Sequence, residues 1–245
     1  MGLRTPNNES QIRELAELVR QEGEDLLGGE VLTVDQTIGL DLQSKIDERT
    51  QAIAAAVAET AKKSNEAAMS AVERLARWMR DGTTVRVLGA GRARLAAAIP
   101  ANRLAHGGAN VFLQDTMIPM PHSVRGGGII AASASGSTEA VLTVMRSARM
   151  QAPNIEIIGI ANHRATEFAQ LSHIFIGICC PMRPRLSALA DIEEYVISEV
   201  LDALVVAAGQ ACGYDERAWR LGHENLGATG PYDARKIATD LYFTT

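Results

Sequence analysis

Between residues 84 and 180, short apolar runs alternate with longer segments of helical periodicity, and this alternation leaves few architectures open. TVRVLG (84–89), NVFLQD (110–115), GIIAASA (128–134), IEIIGIANH (155–163) and HIFIGICC (173–180) read as strands. The segments 94–107, 137–151 and 165–172 between them read as helices. Five short apolar strands with helical connections predict an α/β fold, a parallel doubly wound sheet covered on both faces. Aromatic residues make up only 4% of the chain against 47% hydrophobic, so aliphatic side chains must fill the core.

Before the sheet lies a helical arm. Residues 11–28 carry Ile12, Leu15, Leu18, Val19, Leu26 and Leu27 at roughly helical spacing. Residues 41–80 repeat Ile46, Ile53, Val57, Met69, Val72, Leu75 and Met79 on one face, as one long helix or two in series ended by Asp81-Gly82. Residues 1–80 hold ten Lys/Arg against fourteen Asp/Glu, a net of -4, within a chain of net charge -5. That balance gives no electrostatic reason to bind nucleic acid. No run is apolar enough to predict a membrane span, and the first ten residues carry no export signal. Three cysteines, two of them adjacent at 179 and 180, make neither a zinc spacing nor a disulfide framework, so we expect a cytoplasmic protein without a metal. Beyond Gly213 the chain, WRLGHENLGATGPYDARKIATDLYFTT included, reads as Gly-rich and irregular.

Two stretches fall where strands end. Ligands of doubly wound sheets sit at the carboxyl ends of the strands, near the point where the strand order reverses. At residues 129–145, IIAASASGSTEAVLTVM, an apolar strand enters a bend of small residues and then an amphipathic helix. A helix N-terminus flanked by Ser133, Ser135, Ser137 and Thr138, with Gly136 leaving the backbone open, suits a phosphate held by N–H groups and hydroxyls; an ordinary capped turn is the plainer alternative. Gly89-Ala90-Gly91-Arg92 is a second such turn, with Arg92 supplying charge. GAGRAR lacks the third glycine of a dinucleotide fingerprint, Arg94 standing in its place, so no nicotinamide cofactor is expected.

Among titratable groups, Glu194 sits in the strongly apolar helix of residues 187–211, where Glu193, Glu194 and Glu199 cannot all face water. An acid stripped of water suits a general base; a solvated edge is the ordinary alternative. His106 follows Arg103 near the end of the helix after the glycine turn, where a histidine also serves as a favourable cap. His223, in GHENLG, is a third candidate, with a surface loop as its plainer setting. His122, His163 and His173 show no pattern with other groups.

GAGRA (89–93), RLAH (103–106), Thr116 with Pro119, SASGST (133–138), EYVISEVLDAL (194–204) and HENL (223–226) occur in an order that resembles the sugar isomerase (SIS) domain family, and within it the 6-phospho-3-hexuloisomerases. The resemblance spans about residues 46–226 and implies an N-terminal helical extension at 1–43, a phosphosugar-binding SIS domain at 44–230 and a tail at 231–245. It implies an isomerase that moves a carbonyl through an enediol without a cofactor, converting 3-hexulose 6-phosphate to fructose 6-phosphate. Glu194 would be the base, and His106 and His223 would open the ring or shuttle protons, one of them from a neighbouring subunit. Gly91, Arg92, Arg103, Ser133, Ser135, Gly136, Ser137 and Thr138 would bind substrate, in a homodimer or homotetramer with sites at subunit interfaces. Ala93, Arg94 and Ser137 depart from the family pattern. The end of the chain is also similar to arabinose 5-phosphate isomerases, so an isomerase of a pentose or heptose phosphate, or a non-catalytic phosphosugar sensor, remains an alternative.

Overall fold

The computed structural model describes residues 42–114, 127–152, 154–181 and 191–224. The expected helix at 11–28, the Thr116 and Pro119 pair, and His122 lie outside them. Residues 48–245 form one compact unit; of the other unit, Met1–Asp47, only the first residues of a helix are described. In chain order the elements are α1 (Leu42–Lys63), α2 (Asn65–Arg80), β1 (Thr84–Gly89), α3 (Gly91–His106), β2 (Asn110–Gln114), β3 (Gly127–Ser133), α4 (Glu139–Gln151), β4 (Ile155–Asn162), α5 (Thr166–Leu171), β5 (Ile174–Ile178), α6 (Asp191–Ala211) and α7 (Glu216–Glu224).

The strands form one five-stranded sheet in the order β2-β1-β3-β4-β5, every neighbouring pair parallel. Side chains alternate across it, as the two-residue period of a strand requires. Val85, Val87, Ile130, Ala132, Ile158, Ile160 and Ile176 enter a core covered by α1, α2, α3 and α6. Leu88, Ile129, Ala131 and Ile157 enter the opposite one with Val141, Met145 and Phe168 of α4 and α5. The parallel, two-sided fold expected from the apolar runs is therefore the observed one. The 41–80 segment is two helices in series, broken at Ser64.

One element differs from expectation. The stretch read as irregular begins with α7, since Ala218 is buried and Trp219 packs edge-on against Tyr214 at 5.3 Å. Asp215 starts this helix by accepting the Ala218 N–H at 2.8 Å. The glycines of the tail outweighed this short amphipathic signal in the sequence.

The two sheet edges are treated differently. At the carboxyl end of β5, the buried Thr60 Oγ1 of α1 accepts the Cys179 N–H at 3.0 Å, and the Ser64 hydroxyl donates to the Gly177 carbonyl at 3.4 Å. At β2, Phe112 and Leu113 stand exposed. Thr60→Val keeps the shape but strands a buried N–H, and is expected to cost about 1.5 kcal/mol, read as a lower urea midpoint; an unchanged midpoint would show that the bond contributes nothing.

Candidate functional site

The chain leaves β1 for β2 on one side and crosses back to β3 on the other, so the order of the sheet reverses between β1 and β3. Gly89, the last residue of β1, is aligned with Ala132 on β3. The glycine turn and the serine bend are thus neighbours at the carboxyl ends of adjacent strands, as the sequence suggested.

The bend is internally wired. Ser133 is buried; its Oγ accepts the Gly136 N–H at 3.0 Å and lies 3.1 Å from Thr138 Oγ1. Ser135 Oγ accepts the Ser137 N–H at 3.2 Å and the Ser137 hydroxyl at 3.0 Å. Gly136 adopts φ +70°, and an added Cβ would lie 2.1 Å from that of Ala165. The bend is pressed against the loop after β4, where the Asn162 N–H donates to the Ala134 carbonyl at 3.2 Å. Thr138 is the N-cap of α4, and its side chain makes no capping bond. The rim of exposed Ser135 and Ser137 therefore stands beside the amino end of a 13-residue helix, a setting where an anion gains from both the dipole and the N–H groups.

Across the crevice, Arg92 occupies the second position of α3, after Gly91 at φ +55°. Its Nε donates to Glu194 Oε2 at 2.7 Å. The Glu194 side chain is 15% exposed and that of Arg92 59%, so the carboxylate is largely sheltered rather than on a solvated edge. The three acids of α6 separate as required: Glu193 is buried, Glu194 half-buried and Glu199 exposed. Glu193 aligns with Ile197, Val200 and Leu204 in the buried stripe, a one-residue offset from Glu194 that the sequence reading did not resolve.

Gly91, Arg92, Glu194 and the Ser133–Thr138 bend thus come together at one end of the sheet. Arg103 and His106 do not join them within one chain. At about 1.5 Å per residue, α3 carries His106 some 22 Å from Gly91, to the end where the Gly222 backbone of α7 abuts it. His223 follows in the last turn of α7. Arg103 Nε instead pairs with Asp202 of α6 at 2.7 Å. No group of three or more His, Cys, Asp or Glu placed to hold a metal occurs among the described residues. No helix among them is long and apolar enough to cross a membrane.

No protein-family model and no curated protein matches this chain, but solved structures share its fold. A hypothetical protein from Methanococcus jannaschii, whose structure is described as inferring a molecular function of 3-hexulose-6-phosphate isomerase, is 20% identical, with a TM-score of 0.57 over 74% of this chain and 97% of that one. An Escherichia coli CFT073 protein solved in complex with a phosphosugar is 18% identical, with a TM-score of 0.60 over 76% and 98%. The sugar isomerase domain of an RpiR transcription factor from Sphaerobacter thermophilus is 13% identical, with a TM-score of 0.59 over 74% and 97%. A parallel sheet in the order β2-β1-β3-β4-β5, shared with these structures, gives this chain the fold of the sugar isomerase (SIS) domains.

Proposed function

We propose that the protein is a phosphosugar isomerase, and that its substrate pair is 3-hexulose 6-phosphate and fructose 6-phosphate. The observation that carries this reading is the Arg92–Glu194 pair, 2.7 Å long, across the crevice from the serine bend. The phosphoryl group docks on Ser133, Ser135, Ser137 and Thr138 with the backbone at Gly136, far from the reacting carbons, and so contributes binding energy that orients the sugar. Glu194 removes the proton at C2 while the C3 oxygen takes up a proton, giving the C2–C3 enediol; return of the carbon-bound proton to C3 with release of the O2 hydroxyl proton leaves the carbonyl at C2. Substrate and product have the same oxidation state overall, so no redox partner is consumed.

His106 completes the site from a second subunit, because α3 carries it to the opposite end from its own Arg92. Leu95 and Ile99, one turn apart on α3 and both exposed, with exposed Phe112 and Leu113 on β2, give a homo-oligomer an apolar surface to bury. The structural likenesses to the Methanococcus and E. coli proteins favour an enzyme of this kind, with arabinose 5-phosphate or a heptose phosphate as the other substrates to test.

A non-catalytic phosphosugar sensor is the second reading, favoured by the likeness to a transcription factor's sugar isomerase domain. Purified protein incubated with hexulose, pentulose and heptulose phosphates in deuterated water separates the two: an isomerase incorporates solvent deuterium at the carbon beside the carbonyl, and a sensor binds without exchange. Ser135→Ala is expected to weaken binding of phosphorylated sugars about tenfold, the worth of one charge-assisted hydrogen bond, while leaving free sugars unaffected. Calorimetric titration with each kind of sugar checks this, and an equal loss for both would remove the bend from phosphate recognition.

A further inference from the structure

A cavity of about 580 Å³ opens beside β5, within the size range of small-molecule sites. Phe175 and Gly177, which share one side of the strand, line it together with His163 from the loop after β4 and residues 62–67, where α1 gives way to α2. Gly177 is aligned with Ala161 on β4, and Ala161 with Ser133 on β3. Two strand spacings, about 10 Å, therefore separate this wall of the cavity from the serine bend.

The lining offers both donors and acceptors. The backbone N–H of His163 and its Nδ1 each lie 3.0 Å from the Ile178 carbonyl. A carbonyl only accepts, so Nδ1 carries a hydrogen, and Nε2 is an acceptor whenever the ring is neutral. Nε2 makes no hydrogen bond among the described residues. Lys63 spends one ammonium hydrogen on Glu59, at 3.0 Å, and keeps the others; Lys62 beside it adds a second ammonium to the lining. Glu66, in the first turn of α2, is a further acceptor. Glu59 and Glu66 together offset the two lysines, so the cavity is a poor trap for a bare anion. It matches a molecule that carries hydroxyls as well as a charge, with the half-buried ring of Phe175 as an apolar wall for the carbon skeleton.

We propose that this cavity is a second small-molecule site, taking a hydroxylated anion of sugar size. The anionic group sits on Lys62 and Lys63, hydroxyls donate to Nε2 of His163 and to Glu66, and the C–H face of the molecule rests on Phe175. A sugar phosphate and a sugar acid share this chemistry. The site goes beyond the isomerase reading and does not rest on it.

The full chain is titrated at constant ionic strength with glucose 6-phosphate, gluconate, inorganic phosphate and glucose, and the backbone amide ¹⁵N signals of Asn65 and Gly177, both in the lining, are followed. Glucose 6-phosphate or gluconate is expected to move both signals, about tenfold or more tighter than phosphate or glucose alone, and equally in Ser135→Ala; the tighter of the two names the source. Changing Lys62 and Lys63, both exposed, to glutamine is expected to weaken that response about tenfold or more. His163→Phe keeps a ring of similar size and is expected to weaken the hydroxylated probe about tenfold while leaving inorganic phosphate as it was. Signals unmoved by every probe, phosphate or glucose binding as tightly as the hydroxylated anions, a response lost in Ser135→Ala, or an affinity unchanged in either the lysine or the histidine variant would each overturn the proposal. None of these outcomes bears on the isomerase reading, which stands or falls on exchange at the bend.

Discussion

Replacing Glu194 with glutamine is expected to lower solvent-proton exchange and turnover by roughly 10²- to 10⁴-fold, the usual contribution of a positioned general base, with phosphosugar affinity nearly unchanged. Glutamine keeps the size of the side chain and a carbonyl oxygen able to accept from Arg92 Nε, now 2.7 Å from the carboxylate. It cannot take a proton from carbon. Loss of rate with retained binding separates chemistry from docking, because binding that serves ground state and transition state alike would move affinity instead. Deuterium incorporation measured beside calorimetric affinity gives both quantities from one preparation. Full exchange activity in Glu194→Gln would take Glu194 out of the mechanism and direct attention to the buried Glu193 beside it.

Gly136→Ala is expected to destabilise the fold by about 3 kcal/mol and to abolish measurable phosphosugar binding. Two causes act together: a positive φ of +70° that a side chain rarely tolerates, and a Cβ set 2.1 Å from the Ala165 methyl, with backbone on either side unable to yield. Gly91→Ala isolates the first cause, because Gly91 has φ +55° with nothing within 4 Å of an added Cβ; it should cost about 1 kcal/mol. Urea midpoints for both variants, read together, test the account. Equal losses at the two positions would mean that the contact with Ala165 does not matter.

The sheet was legible because each strand carried its own signal, a short, largely apolar run, the clearest being IIAAS at 129–133, which closes in small residues. The carboxyl-end bends followed from the same pattern, since a parallel strand must hand over to a helix there. What the sequence could not supply was distance across the fold. Arg92 and Glu194 are 102 residues apart, and nothing local to either announces their pairing. Arg103 and His106 looked like members of the same constellation because they belong to the same helix, yet a helix of 16 residues spans the whole depth of the domain and delivers its two ends to opposite surfaces. Glu193 and Glu194 differ by one position, and a helix turns about 100° per residue, so an error of one step exchanges core for crevice. The short α7 was obscured because the apolar face seen among its described side chains, Ala218 and Trp219, is too brief a signal to stand out against the glycines around it.

The unequal treatment of the sheet's borders gives the domain a direction of growth. Thr60 and Ser64 occupy two backbone groups at the end of β5, where an incoming strand would have to displace them, whereas β2 pairs with β1 alone among the described strands. Assembly by strand addition, whether ordered or as an off-pathway fibre, would therefore start at β2 and proceed one way, and a lysine placed at Phe112 would act as a gatekeeper against it without touching the crevice.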